Sequence, residues 1–431
     1  MSNVIGGGIF IVPAVVAQLA PSPAAMLGVW LVGGALALAG ALAYAELAAL
    51  RPQAGGEYVY LREAYGPLLG FLAGWTSFVA GFSGAIAASA VGMAGIMGRF
   101  VPAAADTTPI FSVSLGFVSL TLSPQSAVAL AAIVGMSVVH SLGLGPGRVV
   151  NNLLAGAKVA VLVVVVALGF SLGRGSAAHY AEGGPIALAS WTFALIPVLF
   201  SYAGWNAAAY VSEEIRNPEK NVPKALLMGT GIVVVIYLAL NMVYVYAMPL
   251  AEFPDQALRI GDVAVERLFG PGAAGAWAAA SIVMIAAAIS AMVLAGPRVY
   301  YAMARDGLFF PAAGRVHPRF RTPVVAIAAQ GVWSSVLVLT GTFDQLVEYT
   351  GFGVVLFAGI AVFAVFVLRR RRPLEHRPFR AWGYPLAPLF FVVASLLIVV
   401  NALRESPATS GAGLLIIGLG VPFYFLWRWR N

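Results

Sequence analysis

The chain has 431 residues, of which 61% are hydrophobic and only 10% are charged, and its mean hydropathy is +0.90. Long apolar runs recur throughout, which excludes a water-soluble globular domain and predicts an all-α membrane protein. The net charge of +8 does not indicate nucleic-acid binding, because the basic residues lie in short loops where they suit anionic lipid headgroups. The chain has no cysteine, which excludes a thiolate metal site and a disulfide-linked accessory subunit.

About twelve membrane-spanning helices are expected. Each run is long enough to cross a hydrocarbon core of about 30 Å, and the runs are divided at charged or Pro/Gly-rich joints. The expected spans are residues 1–20, 24–48, 67–98, 126–144, 148–170, 191–212, 224–248, 275–303, 323–341, 346–368, 384–403 and 411–428.

Lys and Arg residues predict the orientation, because positive residues beside the spans stay on the cytoplasmic side. With both termini cytoplasmic, the inner loops and tail hold 18 of the 25 Lys and Arg residues, and the outer loops hold 5. The arginine run at 369–372 is interpreted as a topology anchor that contacts lipid headgroups. The pattern predicts a multi-pass protein of the plasma (cytoplasmic) membrane.

The first span is interrupted by three consecutive glycines. A helix that resumes after this break points free N–H groups and the positive end of its dipole into the gap, where a carboxylate would bind. Glycine-rich faces also mark close helix packing, which is the ordinary meaning of a lone glycine triplet. The candidate substrate-binding residues here are Ile5, Gly6, Gly7, Gly8 and Ile9.

The sixth span is interrupted at a matching place. Its first half is expected to end near Phe200, which leaves free carbonyl groups and a negative dipole end that suit an ammonium group. Two breaks of opposite polarity across a small gap suit a zwitterion, of which an α-amino acid is the simplest. The candidate substrate-binding residues in this break are Phe200, Ser201, Ala203, Gly204 and Asn206.

The spacing of the two breaks predicts an internal repeat. Five spans is an odd number, so a second copy that also begins with a broken helix would enter the membrane upside down. We expect a first five-helix repeat at residues 1–170, an inverted second repeat at 191–368 and two additional helices at 384–428.

Several motifs resemble the amino acid–polyamine–organocation (APC) superfamily, within it the L-type amino acid transporter branch and its bacterial relatives. The resemblance implies a LeuT-type fold of five plus five inverted helices, alternating access, and exchange or uptake of L-amino acids. It covers nearly the whole chain, most specifically at residues 205–223. The motifs are Gly6-Gly7-Gly8-Ile9-Phe10, Tyr44-Ala45-Glu46-Leu47, Gly55-Gly56-Glu57-Tyr58, Tyr202-Ala203-Gly204-Trp205-Asn206, Glu213-Glu214-Ile215-Arg216-Asn217-Pro218 and Arg305-Asp306-Gly307.

The start of the chain departs from these relatives, which have a cytosolic tail and a fuller half-helix before the first break. Only Met1 to Ile5 precede Gly6, about 7.5 Å of helix at 1.5 Å per residue. That length does not reach the cytoplasmic face, so we expect the natural start to lie upstream.

Lys158 is the most unusual residue, because an ionisable group inside an apolar span needs a partner or a function. In similar transporters, a lysine at this position of the fifth helix stands where sodium-coupled relatives hold a sodium ion. The resemblance therefore implies sodium-independent transport, with the ammonium group bonded to free carbonyls near Gly6. The alternative is that the side chain reaches the interface and is solvated there.

Further residues are candidates for coupling or gating. Phe200 resembles the aromatic residue that closes over the substrate, although it could simply pack, and Asn206 could cap the second half-helix. Tyr244 and Ser290 could place hydroxyls near Lys158, and Glu46 could form an inner-gate ion pair. The other interfacial charges are interpreted as solvated groups: Glu57, Glu213, Glu214, Arg51, Arg62 and Arg216.

These features predict a secondary transporter of neutral L-amino acids, because the spans expected to face the substrate hold no acidic residue at mid-depth. Exchange and proton-coupled symport stay open, because a lysine serves either as a fixed charge or as a titrating group. A channel is a more distant alternative, since no repeated filter is visible. An enzyme is not expected: the four histidines are scattered, and no metal or cofactor is implied.

Overall fold

Helices form nearly all of the regular structure in the computed structural model, which describes residues 1–6, 8–114, 119–254, 260–341 and 343–430. The α-helices are α1 (Gly8–Leu19), α2 (Pro23–Leu50), α3 (Glu57–Tyr65), α4 (Pro67–Thr76), α5 (Phe82–Met97), α6 (Pro124–Ser141), α7 (Leu144–Ser171), α8 (Leu188–Phe193), α9 (Leu195–Tyr202), α10 (Ala207–Tyr210), α11 (Pro218–Ala247), α12 (Ile260–Phe269), α13 (Ala273–Arg305), α14 (Val324–Thr340), α15 (Phe343–Arg371), α16 (Leu386–Glu405) and α17 (Pro407–Arg430). The antiparallel strands β1 (Phe111–Ser114) and β2 (Ser119–Leu122) pair Phe111 with Leu122.

The described residues contain nine helical segments that are long and apolar enough to cross a membrane, and three shorter apolar helices. Together they occupy the positions of the twelve expected spans, and most ends agree within a few residues. Helix α11 begins six residues earlier than expected, because Pro218 is tolerated at the first helical position, where the missing N–H needs no partner.

The break expected in the sixth span is present, and the first span is non-helical over the described residues 1–6. Residues 1–6 form turns, in which the N–H groups of Val4 and Ile5 donate to the Met1 carbonyl, and regular helix begins at Gly8. The sixth span stops at Tyr202 and resumes at Ala207, and Gly204 between them has a φ of 94°. The second break therefore lies slightly after the expected position, because Ser201 and Tyr202 still belong to α9.

The core brings the two breaks together at the centre of the bundle. Helix α1 packs against α9, α2 packs along α11, and α13 packs against α5 and α7. Many large apolar side chains on the outer faces are exposed, among them Leu153, Val235 and Leu396. Such exposure is expected for helices surrounded by lipid, because lipid tails are as apolar as these side chains.

Three elements were not expected from the sequence. They are the short helix α3, the hairpin β1–β2, and one turn of π-helix at Ser77–Gly81 between α4 and α5. A π-helical turn inside a longer helix is uncommon and often marks a functional site. Here the turn lies beside the central cavity.

Candidate functional site

A central cavity of about 130 Å³ lies where the two broken helices meet. The rest of its wall comes from the π-helical turn and from helices α3, α4, α5, α10, α13 and α15. Of the residues expected to bind substrate, those that line this cavity are Gly6, Gly8, Phe200, Ser201, Ala203, Gly204 and Asn206. The side chains of Ile5 and Ile9 are fully buried in the surrounding core, and Gly7 lies outside the described residues.

The two breaks touch each other, which explains two of the glycines. A Cβ atom on Gly8 would lie 2.8 Å from the Cα of Ser201, and one on Gly204 would lie 2.7 Å from the main-chain oxygen of Asn3. Both distances are too short for a real side chain, and the positive φ of Gly204 also disfavours other residues. Glycine therefore lets the unwound segments approach closely.

Three side chains at the cavity have unsatisfied polar atoms. Asn3 Oδ1, Thr76 Oγ1 and Ser201 Oγ are buried and make no hydrogen bond within the described part of the chain. Buried polar groups nearly always have partners, so these three atoms are candidates for hydrogen bonds to a bound solute or to water. The Asn3 amide oxygen can only accept a hydrogen bond, whereas the Thr76 and Ser201 hydroxyls can each donate one and accept others.

Lys158 of α7 lies against the first break. Its side chain is fully buried, and Nζ donates to the carbonyl oxygen of Ser2 at 2.9 Å and to that of Ile5. On the same helix, Asn151 accepts a hydrogen bond from the Ser2 hydroxyl at 3.1 Å. The ammonium group is thus held by main-chain oxygens that the unwound segment leaves free, and the side chain does not reach toward solvent.

Tyr237 of α11 joins the two breaks, a role that the sequence did not suggest. Its hydroxyl lies 2.9 Å from the carbonyl oxygen of Val4 and 3.3 Å from that of Ser201. The only sequence signal was a tyrosine within an apolar run, and such residues commonly pack without any special partner.

Tyr244 and Ser290 were expected near Lys158, but neither hydroxyl forms a hydrogen bond to it among the described residues. The Ser290 hydroxyl lies 2.7 Å from Nε2 of His140 on α6. The Tyr244 hydroxyl is buried and has no hydrogen-bond partner among the described residues. Lys158 bonds to main-chain oxygens of Ser2 and Ile5. These oxygens are free because the segment is not helical, so they accept the hydrogen bonds that a side-chain hydroxyl was expected to accept.

Glu46 forms a buried ion-pair network at the end of α2. Its carboxylate is 2% exposed, lies 2.6 Å from Arg369 Nη2 of α15 and 3.3 Å from Arg377 Nε, and accepts the Ala381 N–H at 2.7 Å. This cluster ties α2 to α15 and to the loop that follows it. Arg369, which was expected to contact lipid headgroups, is therefore an internal partner of Glu46.

A polar cleft of about 510 Å³ lies beside the turn that precedes α3. Across it, Asp306 accepts from Arg62 and from the Tyr58 hydroxyl at 2.6 Å, while Arg305 lies 3.4 Å from Glu213. Arg62 and Glu213 were interpreted as solvated interfacial charges; both are partly exposed, and each also pairs across the cleft.

Arg298 and Glu214 form a second pair that the sequence did not reveal. The Arg298 guanidinium, 2% exposed, lies 2.9 Å from Oε1 of Glu214 through Nε and 3.3 Å from Oε2 through Nη2. Its Nη1 also donates to the Leu294 carbonyl at 2.6 Å. The pair fixes α13 against the segment that follows the sixth-span break.

Glu57 faces the central cavity from the start of α3, so it is not the solvated charge that the sequence suggested. The Tyr44 hydroxyl of α2 donates to its carboxylate at 2.7 Å. Burial raises the pKa of the Glu57 carboxyl, and the hydrogen bonds from Tyr44 and Tyr210 partly oppose that rise.

Comparisons with known proteins agree with this arrangement. The amino acid permease family model matches residues 1–421. The chain is 29% identical over 428 residues to the serine/threonine exchanger SteT of Bacillus subtilis, which covers 99% of this chain and 93% of that protein. It is 28% identical over 445 residues to the Asc-type amino acid transporter 1 of Mus musculus, a match that covers 99% of this chain and 79% of that protein. It is also 28% identical over 449 residues to the b(0,+)-type amino acid transporter 1 of Homo sapiens, a match that covers 99% of this chain and 85% of that protein.

A central cavity between the unwound segments of the first and sixth spans is consistent with a multi-pass transporter of the LeuT type, and the expected helical membrane architecture is confirmed. The chain belongs to the amino acid permease family, as the motif resemblance predicted. Its relatives are transporters and exchangers.

Proposed function

We infer that this protein exchanges neutral L-amino acids across the membrane by alternating access. The observation that carries the proposal is the cavity between two breaks of opposite polarity. The N-terminus of α1 at Gly8 offers N–H groups to a carboxylate, and the C-terminus of α9 at Tyr202 offers carbonyl groups to an ammonium group. A solute that carries both charges on one small unit satisfies both ends.

The cavity wall favours an uncharged side chain. Besides its few polar atoms it consists largely of apolar groups, both small ones such as Ala85 and Ala88 and large ones such as Phe82. The acidic side chain that reaches the cavity is Glu57, which already accepts a hydrogen bond from Tyr44. A neutral amino acid suits this wall better than a cationic one when the Glu57 carboxyl is protonated, because no carboxylate charge among the described residues then faces the cavity.

Lys158 supports sodium independence. Its ammonium group sits on two carbonyl oxygens of the first break, and such oxygens would otherwise be ligands for a hard cation. The ammonium group of Lys158 satisfies both carbonyls without an added cation. Transport then needs no sodium ion to complete the first break.

The orientation and the repeat belong to the same proposal. We place both termini on the cytoplasmic side of the plasma membrane, because that arrangement puts most of the Lys and Arg residues inside. Residues 1–170 and 191–368 form two inverted repeats, each beginning with a broken helix, and residues 384–428 add two helices. Under this topology the polar cleft opens to the cytoplasm.

Counterflow in liposomes tests the proposal. The purified protein is reconstituted, the vesicles are loaded with L-serine, and entry of labelled L-serine is followed in sodium and in choline buffers. We expect rapid entry only into loaded vesicles and equal rates in both buffers. Entry that requires sodium would refute sodium independence, and equal entry into loaded and empty vesicles would refute exchange. Protein-free vesicles measure leakage.

A further inference from the structure

Residues 54–56 form a turn, and residues 57–59 begin helix α3. This segment, here called the 54–59 turn, lies between the central cavity and the polar cleft. Glu57 lines the cavity on one side, whereas Ala54 and Val59 line the cleft on the other. A single turn of chain therefore stands between the proposed substrate site and the proposed cytoplasmic opening.

The 54–59 turn is held against α10, the half-helix that follows the second break. The Gly55 N–H donates to the Tyr210 carbonyl at 3.1 Å, and a Cβ atom on Gly56 would lie 2.5 Å from the Tyr210 ring. On the cleft side, the Ala54 N–H donates to Glu213 at 3.2 Å. These contacts hold the turn against α10 and against the segment that follows it.

Glu57 lies at the contact between these parts, and its neighbours are neutral. The titratable groups that face it are the phenols of Tyr44 on α2, Tyr60 on α3 and Tyr210 on α10. Tyr210 in turn accepts a hydrogen bond from Asn206 of the second break at 3.0 Å. Among the described residues, no Lys, Arg or His side chain forms an ion pair with the Glu57 carboxylate.

The charged groups of adjacent elements are engaged elsewhere. Arg62 of α3 and Asp306 after α13 pair with each other, and Arg369 of α15 pairs with Glu46. Also on α15, Arg371 donates to the Ala64 carbonyl at 2.7 Å. A negative charge on Glu57 is therefore stabilised by hydrogen bonds from phenol groups and by water molecules in the cavity, and not by a cation.

We propose that Glu57 is a proton-binding site of the substrate cavity, and that the 54–59 turn closes against α10 only when this carboxyl is neutral. Closure removes water from the carboxylate without supplying a cation, so it favours protonation. The proton is taken from water as the turn closes and returns to water as it opens, and no other bond is made or broken. The inference rests on the proposed exchange, for which it supplies a pH dependence.

The pH profile of counterflow tests the inference. Wild-type rates are measured with equal pH inside and outside, from about pH 5 to about pH 9, and we expect a fall of about tenfold per pH unit above the pKa of Glu57. The variant Glu57→Gln keeps a neutral side chain, so we expect equal rates at the two ends of this range. Glu182→Gln, which changes an exposed carboxyl, serves as the matched control and should follow the wild-type profile.

A second variant keeps the test decisive if Glu57→Gln does not fold. Tyr44→Phe removes one donor to the carboxylate, which raises its pKa, so the midpoint of the fall should move to higher pH. A merely structural role would lower the rate equally at every pH and leave the midpoint in place. A Glu57→Gln profile that parallels wild type, or a wild-type rate independent of pH, would overturn the inference.

A measurement without transport separates this inference from the proposed function. Infrared pH titration of the purified protein should show a protonated carboxyl signal that persists to higher pH than exposed acids allow and that is missing in Glu57→Gln. If wild-type protein shows the signal but no counterflow, only the exchange proposal fails. Active counterflow with no such signal refutes the Glu57 site alone.

Discussion

The buried hydrogen bond between Lys158 and the Ile5 carbonyl ties α7 to the unwound start of the first span. The ammonium group also bonds to the Ser2 carbonyl, so it bridges two oxygens of the unwound segment next to Gly6.

Replacing Lys158 by Ala is expected to slow counterflow strongly while the protein still folds. The substitution leaves the carbonyl groups of Ser2 and Ile5 without the Lys158 ammonium group. Each charge-assisted hydrogen bond contributes about 1.5–3 kcal/mol. If the transport barrier rises by that amount, the rate falls about tenfold or more. Labelled L-serine counterflow measures the effect, and gel filtration in detergent checks the fold. Lys224→Ala, at an exposed lysine on α11, is the matched control. Near-normal uptake by Lys158→Ala would contradict the prediction.

Replacing Gly8 by Ala is expected to separate the two breaks. The new Cβ would lie 2.8 Å from the Cα of Ser201, a main-chain atom that cannot rotate away. Overpacking of this kind costs about 1–3 kcal/mol. Thermal unfolding in detergent should show a lower midpoint, and counterflow should fall with it.

The control for Gly8→Ala is Gly156→Ala on α7. No atom lies within 4 Å of a Cβ placed on Gly156, and alanine favours helix more than glycine does. This variant should be at least as stable as wild type. If both substitutions have the same effect, the close contact between the breaks does not limit stability.

Features that are local in the sequence could be predicted from it. The spans follow from hydropathy, the breaks from helix-weakening residues in apolar runs, and Lys158 from the cost of a charge at that depth. The family followed from motifs such as residues 202–206. Each signal lies within a few neighbouring residues.

Features that join distant segments could not be predicted in this way. Tyr237 bonds to carbonyls of two different breaks, and Glu57 meets Tyr44 and Tyr210 only because α2, α3 and α10 converge. Nothing in the residues around position 57 distinguishes a cavity carboxyl from an interfacial one. Partner identity depends on tertiary packing, which a single sequence does not contain.

Replacing Arg298 by Lys is expected to destabilise the protein, although the charge is kept. Lysine cannot make the two parallel hydrogen bonds that the guanidinium makes to Glu214, and it loses the bond to the Leu294 carbonyl. We expect a loss of about 1.5–3 kcal/mol, the range for hydrogen bonds to charged groups. The thermal midpoint in detergent measures this loss.

The comparison for Arg298→Lys is Arg305→Lys. Arg305 pairs with Glu213 at 3.4 Å, and both side chains are about half exposed, so a small effect is expected. Equal midpoints for the two variants would mean that burial of the Arg298 side chain does not strengthen its pair with Glu214.

Replacing Phe200 by Ala is expected to weaken substrate binding. Phe200 lines the central cavity and also a second, apolar cavity of about 320 Å³, so its ring forms part of the partition between them. Removing the ring connects the two spaces and takes away apolar contact worth about 1.5–3 kcal/mol, so KM for L-serine counterflow should rise about tenfold or more. Phe363→Ala, which removes a ring exposed on the outer face of α15, should leave KM near the wild-type value. An unchanged KM in Phe200→Ala would show that the ring does not close the substrate cavity.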